Sequence, residues 1–226
     1  MSVFITANLG RHVDTAEFLA NVRVIDDEAG RGTVIGFQEI DEADTPNEHH
    51  GLRRVLEDFT WAGWQTREPI GFGDRWKIQR DEVVKAATGL KVGRVGLSPA
   101  RTITDAVATH TSGAELAFLD VHYPRNDPRL LSRWRDVRQA HADRIAHHHA
   151  EGRTVVWFSD VNRRSFMPLH RAERTLAHHG LDWVRCVEHP DGAQIEVLAR
   201  GSIDLTIDGH DAQWARVRLT NPKEHR

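Results

Sequence analysis

The chain has 226 residues, 28% charged and 39% apolar, with a formal net charge of -3 at pH 7. This composition belongs to a folded globular protein and excludes a long disordered or collagen-like chain. The near-neutral charge excludes a strongly basic nucleic-acid-binding domain, so any polyanion has to meet a local patch.

In chain order, the first apolar run is Val3 to Ala7, a strand, followed by a helical pattern over Asp14 to Val22 and a second strand over Thr33 to Phe37. A helix follows at Gly51 to Phe59. Thr66 to Glu82 mixes Pro69, Gly71, Gly73, Trp76 and several charges and reads as an exposed loop or short hairpin. Strands are expected at Ala86 to Val95 and Glu115 to Val121. Asp127 to Glu151 reads as a helix, with Asp127-Pro128 as N-cap and first turn and Gly152 as C-cap. Thr154 to Phe158 is apolar on both faces and reads as a buried strand. A helical pattern over Met167 to His179 and a strand over Ser202 to Ile207 complete the series. With no repeat or linker, periodicity gives one mixed α/β domain over 1–226.

Several strands end in residues suited to phosphate or metal chemistry: Asn8, Gln38-Glu39, His122, and Asp160 and Asn162 in Ser159-Asp160-Val161-Asn162. Asp160 and Asn162 lie two apart at a strand edge, which turns an acid and an amide to one side of the sheet. Asp204 follows Ile203, and Glu224-His225 stands near the end of the sequence. Each alone is a weak signal, since a lone carboxylate or histidine is more often solvated or structural. Their order carries the argument.

In that order they resemble the motifs of the endonuclease/exonuclease/phosphatase superfamily, the DNase I-like phosphoesterases, from Asn8 to His225. The resemblance implies a four-layer α/β sandwich, two face-to-face, mainly antiparallel sheets flanked by helices. It assigns Mg2+ or Mn2+ to Glu39, Asn8 and Glu224, the last standing where the family has aspartate. His122 and Asn162 would then stabilise the phosphoryl group, Asp160 would activate water, and Asp204 would orient His225. Ser159 replaces the family's usual glycine. The implied activity is one-step, in-line hydrolysis of a phosphodiester by a nuclease, with DNA as substrate. Its alternatives are a phosphatase or phosphodiesterase on a small molecule or phospholipid headgroup, and an inactive member that binds a phosphorylated partner.

Arg125, Arg163 and Arg164 follow the motifs closely and are candidates to hold substrate phosphates, as guanidinium forks suit phosphate oxygens. His147-His148-His149, His178-His179 and His49-His50 are left out of the site, because neighbours on a helix diverge by about 100°. The tryptophans read mainly as core, with Trp76 a minor candidate for stacking on a base. One cysteine, Cys186, excludes an intramolecular disulfide and fits a reducing compartment. No leader pattern opens the sequence and no apolar run reaches the roughly 20 residues of a membrane helix, so a cytoplasmic protein without membrane contact is expected.

Overall fold

The computed structural model describes residues 1–10, 15–41, 47–91, 97–206 and 210–221. The chain runs β1 (Ser2–Asn8), α1 (Thr15–Glu28), β2 (Thr33–Gln38), α2 (Glu48–Val55), β3 (Thr60–Ala62), β4 (Ile70–Phe72), β5 (Trp76–Ala87), β6 (Leu90–Lys91), β7 (Leu97–Ser98), β8 (Arg101–His110) and β9 (Glu115–His122). After a 3-10 turn (Pro128–Leu130) come α3 (Leu131–Ala150), β10 (Thr154–Asp160), β11 (Glu173–His179), β12 (Asp182–Val187), β13 (Gln194–Ile203) and β14 (Ala212–Thr220).

Two six-stranded sheets form, in the orders β13-β14-β1-β2-β4-β3 and β11-β12-β10-β9-β8-β5. Most neighbours are antiparallel; β1 with β2 and β9 with β10 are parallel. The inner faces meet in a core that includes Phe4, Val34, Phe72, Phe118, Val156 and Phe158. Sealing a phenylalanine there stabilises the fold by about 1.5–3 kcal/mol relative to leaving it in water. At Gly36 the sheets come so close that a β-carbon would lie 2.4 Å from Cβ of Phe158. On the far face of the first sheet, Phe18, Val22 and Ile25 of α1 and Leu52 of α2 cover Ile5, Ile35 and Phe37. Trp134, Val137 and Ile145 of α3 cover Val155, Trp157 and Leu119 of the second. These are the four layers of the expected α/β sandwich.

The sequence patterns of β1, β2, β9 and β10 agree with the structure to within two residues. Asp127 caps the 3-10 turn that leads into α3, accepting from the Arg129 amide at 2.8 Å, and Gly152 closes the helix with φ 81°. Four readings of elements are corrected. Residues 167–172 are irregular and Glu173–His179 is β11, because its ladder with β12 overrides the helix-forming Leu, Ala, Glu and Arg side chains. Residues 66–82 contain buried β4 and the start of β5, an edge strand exposed on both faces over residues 79–83, where Arg80, Asp81 and Glu82 lie. Strand structure over 86–95 is limited to the end of β5 and the two residues of β6, with 92–96 outside the described residues. The strand expected from Ser202 is the end of β13, which stops at Ile203. Trp76 is buried and donates to the Gly32 carbonyl at 3.0 Å, so it anchors packing. Among the described residues, no helix is long and apolar enough to cross a membrane.

Candidate active site

Because β1 and β2 are parallel, as are β9 and β10, all four end at the same rim of the sandwich. Asn8 is level with Gln38, Asp160 with His122, and across the antiparallel ladder Asp160 faces Asp182 at the start of β12. The rim therefore gathers Asn8, Glu39, His122, Asp160 and Asp182 from both sheets.

Asp160 is the centre. Its Oδ2 accepts from Asn8 Nδ2 at 3.0 Å and its Oδ1 from the Asn162 amide at 2.7 Å. Asn162 lies past the strand end in a left-handed conformation, φ 53°, which asparagine tolerates. The acid and amide are thus adjacent, with Nδ2 3.4 Å from Asp160 Oδ2, through an Asx-type turn and not through strand pleating. The amide is held by the Tyr123 carbonyl at 2.9 Å. Burial, then the neighbouring Asp182 charge, pushes the Asp160 carboxyl up to about 7.

His122 is buried, and its Nδ1 lies 2.9 Å from an Arg101 guanidinium nitrogen. A guanidinium only donates, so Nδ1 accepts from it, while Nε2 lies 3.1 Å from the Asn162 side-chain nitrogen, also a donor. Nε2 also faces Glu39 Oε1 at 3.3 Å and Asp160 Oδ2 at 3.6 Å. Burial, then the Arg101 charge, holds His122 well below its usual range, so the ring is neutral. Glu39 has φ 64°, and its carboxylate occupies space left open by Gly10, where a β-carbon would lie 1.8 Å from Oε2.

On the other side of Asp160, His210 Nδ1 is 3.1 Å from Asp182 Oδ2. Burial raises Asp182, partly offset by this hydrogen bond. Burial lowers His210, but the Asp182 bond and the charges of Asp182, Asp160 and Glu39 outweigh it and raise the imidazole overall. Asp160, Asp182 and His210 each bring a ligand-capable atom within 4.8 Å of the other two, and so do Glu39, His122 and Asp160.

The remaining expected site residues fall apart from this centre or outside the description. Asp204 is exposed just after β13, and Glu224 and His225 lie outside the described residues, as does the expected Asp204–His225 pair. The imidazole beside Asp160 is His210. Arg125 is exposed near enough for its charge to act on His122. Arg163 lies over the Trp134 ring at 4.0 Å, a packing position, and Arg164 is exposed beside His210. Arg101, Asp182 and His210 are additions. His210 had a signal in the sequence, since Gly209-His210 comes directly before the alternating pattern of β14. Asp182 had none, because its place depends on the ladder with β10. Of the histidine tracts, His148 is buried and bonded to Asp105 at 2.8 Å; with His147 and Glu151 it also forms a group spaced within 4.8 Å.

No protein-family profile matches the sequence, and no curated relative is found. Solved structures do match. Zebrafish (D. rerio) TDP2, complexed with single-strand DNA product, is 12% identical with TM-score 0.71 over 96% of this chain and 98% of its own. A mannosyl-6-phosphatase of Bacteroides thetaiotaomicron is 10% identical with TM-score 0.68 over 96% and 100%. An endonuclease/exonuclease/phosphatase family protein of the same organism is 9% identical with TM-score 0.65 over 97% of each chain. The fold is that of the endonuclease/exonuclease/phosphatase superfamily. Within this DNase I-like frame, Asn8, Glu39, His122, Asp160 and Asn162 meet at one rim.

Whether the rim suits a divalent ion can be judged from its donors. Glu39, His122 and Asp160 bring ligand-capable atoms together there. Asn8 Oδ1 accepts from the Gly10 amide at 2.9 Å and keeps a second lone pair. The oxygens of two carboxyls and an amide are hard donors that suit Mg2+ or Mn2+.

Proposed function

We propose that residues 1–226 act as one divalent-metal-dependent phosphoester hydrolase domain whose substrate is a DNA phosphodiester. The observation that carries this reading is Asp160, a buried carboxyl between an oxygen-donor cluster (Asn8, Glu39) and a carboxylate-oriented imidazole (Asp182–His210). Mg2+ or Mn2+ on Glu39 and Asn8 would neutralise phosphate charge and polarise the scissile bond.

Asp160 accepts the proton of the attacking water, and a carboxyl at about 7 suits a base working near neutrality. The backbone amide of Asn162 and the side chain of Asn8 fix its orientation. His210, held through Nδ1 by Asp182, turns Nε2 to the phosphoryl oxygens and, protonated, donates there. The amide of Asn162 is a further donor at the same rim, beside His122. No covalent intermediate is required. For DNA speak the exposed arginines Arg125 and Arg164 and the likeness to a TDP2 structure holding single-strand DNA.

The test is hydrolysis of supercoiled, linear, abasic and single-stranded DNA, RNA, phosphoinositides and sugar phosphates with Mg2+, Mn2+ or EDTA. DNA is cleaved with Mg2+ or Mn2+ and not with EDTA; hydrolysis of no phosphoester with either ion overturns the reading. The net charge of -3 and the likeness to a sugar phosphatase favour a second reading, a small-molecule phosphatase. Phosphate release from a sugar phosphate without nicking of plasmid selects it.

A further inference from the structure

The β11–β12 hairpin, with His178, His179 and Gly180 at its tip, stands beside His210. His178 and Trp183 are direct partners across the ladder, and their rings stack with centroids 3.4 Å apart and planes 29° from parallel. The Arg185 guanidinium lies 4.2 Å from the indole centroid, and two groups this near cannot share one face of the ring. Trp183 is therefore sandwiched. Arg185 is buried and fixed by the Glu173 carboxylate at 2.5 Å and the Phe166 carbonyl at 3.0 Å. The result is a column of guanidinium, indole and imidazole whose inner members are buried and whose last member, His178, is exposed. His178 Nε2 lies 3.2 Å from the Gly180 carbonyl, which sets the ring plane. Burial, its largest influence, lowers the His178 pKa and keeps the ring neutral.

An open cleft of about 660 Å3 adjoins this ring, lined by Arg164, His178, His179, Gly180, His210 and Asp211. That is within the size range of ligand pockets, roughly 300–1,000 Å3. Because His210 Nδ1 is taken by Asp182, its Nε2 is the atom left for the cleft. One cleft thus joins a group of the candidate active site, an exposed guanidinium, the carboxylate of Asp211 and the exposed ring that ends a π-stack.

We propose that this cleft is a nucleotide subsite, in which the base beside the scissile phosphate stacks on His178 and an adjoining backbone phosphate meets Arg164. The inference rests on the phosphoesterase reading and deepens it by naming a polynucleotide as substrate. A flat, rigidly backed ring accepts any base, as each has a π-face, so the subsite reads the presence of a base and not its identity. A sugar phosphate or inositol headgroup has no π-face to lay on the ring.

The experiment uses the full chain with Ca2+ in place of Mg2+ and measures fluorescence anisotropy of labelled single-stranded oligonucleotides, intact or with one tetrahydrofuran abasic residue walked along the strand. In the wild type, one abasic position weakens binding about tenfold, the size expected for losing one base–ring stack. H178A binds the intact strand about tenfold more weakly and no longer distinguishes that abasic position, while H178F restores the difference. R164A weakens intact and abasic strands alike and flattens the salt dependence. If H178A binds the intact strand like the wild type with a lowered Tm, the imidazole only covers Trp183 and the proposal fails. It also fails if no abasic position weakens wild-type binding. Failure of the phosphoesterase reading shows separately, as no hydrolysis by the wild type with Mg2+ or Mn2+.

Discussion

Two buried aspartate–histidine arrangements sit on the same sheet and differ in what balances their charge. Asp105 of β8 accepts from His148 Nε2 at 2.8 Å and from Arg144 Nε at 2.6 Å, both on α3. Burial raises Asp105, but the His148 hydrogen bond and charge, then Arg144, outweigh it and hold the carboxyl below its usual range. Asp160 and Asp182 share one imidazole, and both carboxyls are raised. A structural carboxylate carries its cation with it; the rim carboxyls are short of positive charge, as a site that recruits a cation would be.

The contrast breaks most clearly at Asp160. Asp160→Asn lowers kcat by about 10³-fold, within the usual range for a lost general base, and leaves Tm unchanged or higher; a fall in Tm with kcat kept would place Asp160 with Asp105. Asp105→Ala does the reverse. With Arg144 and His148 left without their buried counterion, urea denaturation shows a loss of about 3–5 kcal/mol while kcat of the folded enzyme holds.

The pH dependence sharpens the comparison, because the two carboxyls shift in opposite directions. Asp105 is depressed, so its contribution is present above pH 4 and lost as pH falls through its folded value. Asp160 is raised from 3.8 to about 7, so the folded state holds a proton that the unfolded chain releases, and its contribution declines as pH rises from about 4 to 7. In urea midpoints of metal-free protein, Asp160→Asn reduces the decline between pH 4 and 7, part of which Asp182 keeps, and Asp105→Asn reduces the loss below pH 4. The smallest effect is expected at Arg101, which donates to His122 Nδ1. Arg101→Met lowers kcat about tenfold, by analogy with the loss of groups that orient catalytic ligands, and 15N NMR shows a shifted His122 Nδ1 signal.

How much was readable follows from the range of the forces involved. β1, β2, β9 and β10 are buried on both faces, so their apolar runs and their polar ends at Asn8, Glu39, His122 and Asp160 stood out locally. The capped ends of α3 were equally local. β5 was obscured because this edge strand is charged and exposed on both faces over residues 79–83, and β11 because its residues favour helix until β12 pairs with them. Asp182 and Arg101 become neighbours of the rim only through strand pairing that no short window of sequence contains. The position of Arg163 over Trp134 likewise depends on α3 packing against the segment after β10.

Gly36 gives the site an unusual dependence. Asn8 and Glu39 come from one sheet and His122 and Asp160 from the other, so the gap between these two halves of the rim is set by the thickness of the core below. The two layers touch where a single hydrogen stands in for a side chain, against Phe158. The interior thus works as a spacer, and one added methyl group at this close approach would widen the distance between the halves without altering any residue of the rim.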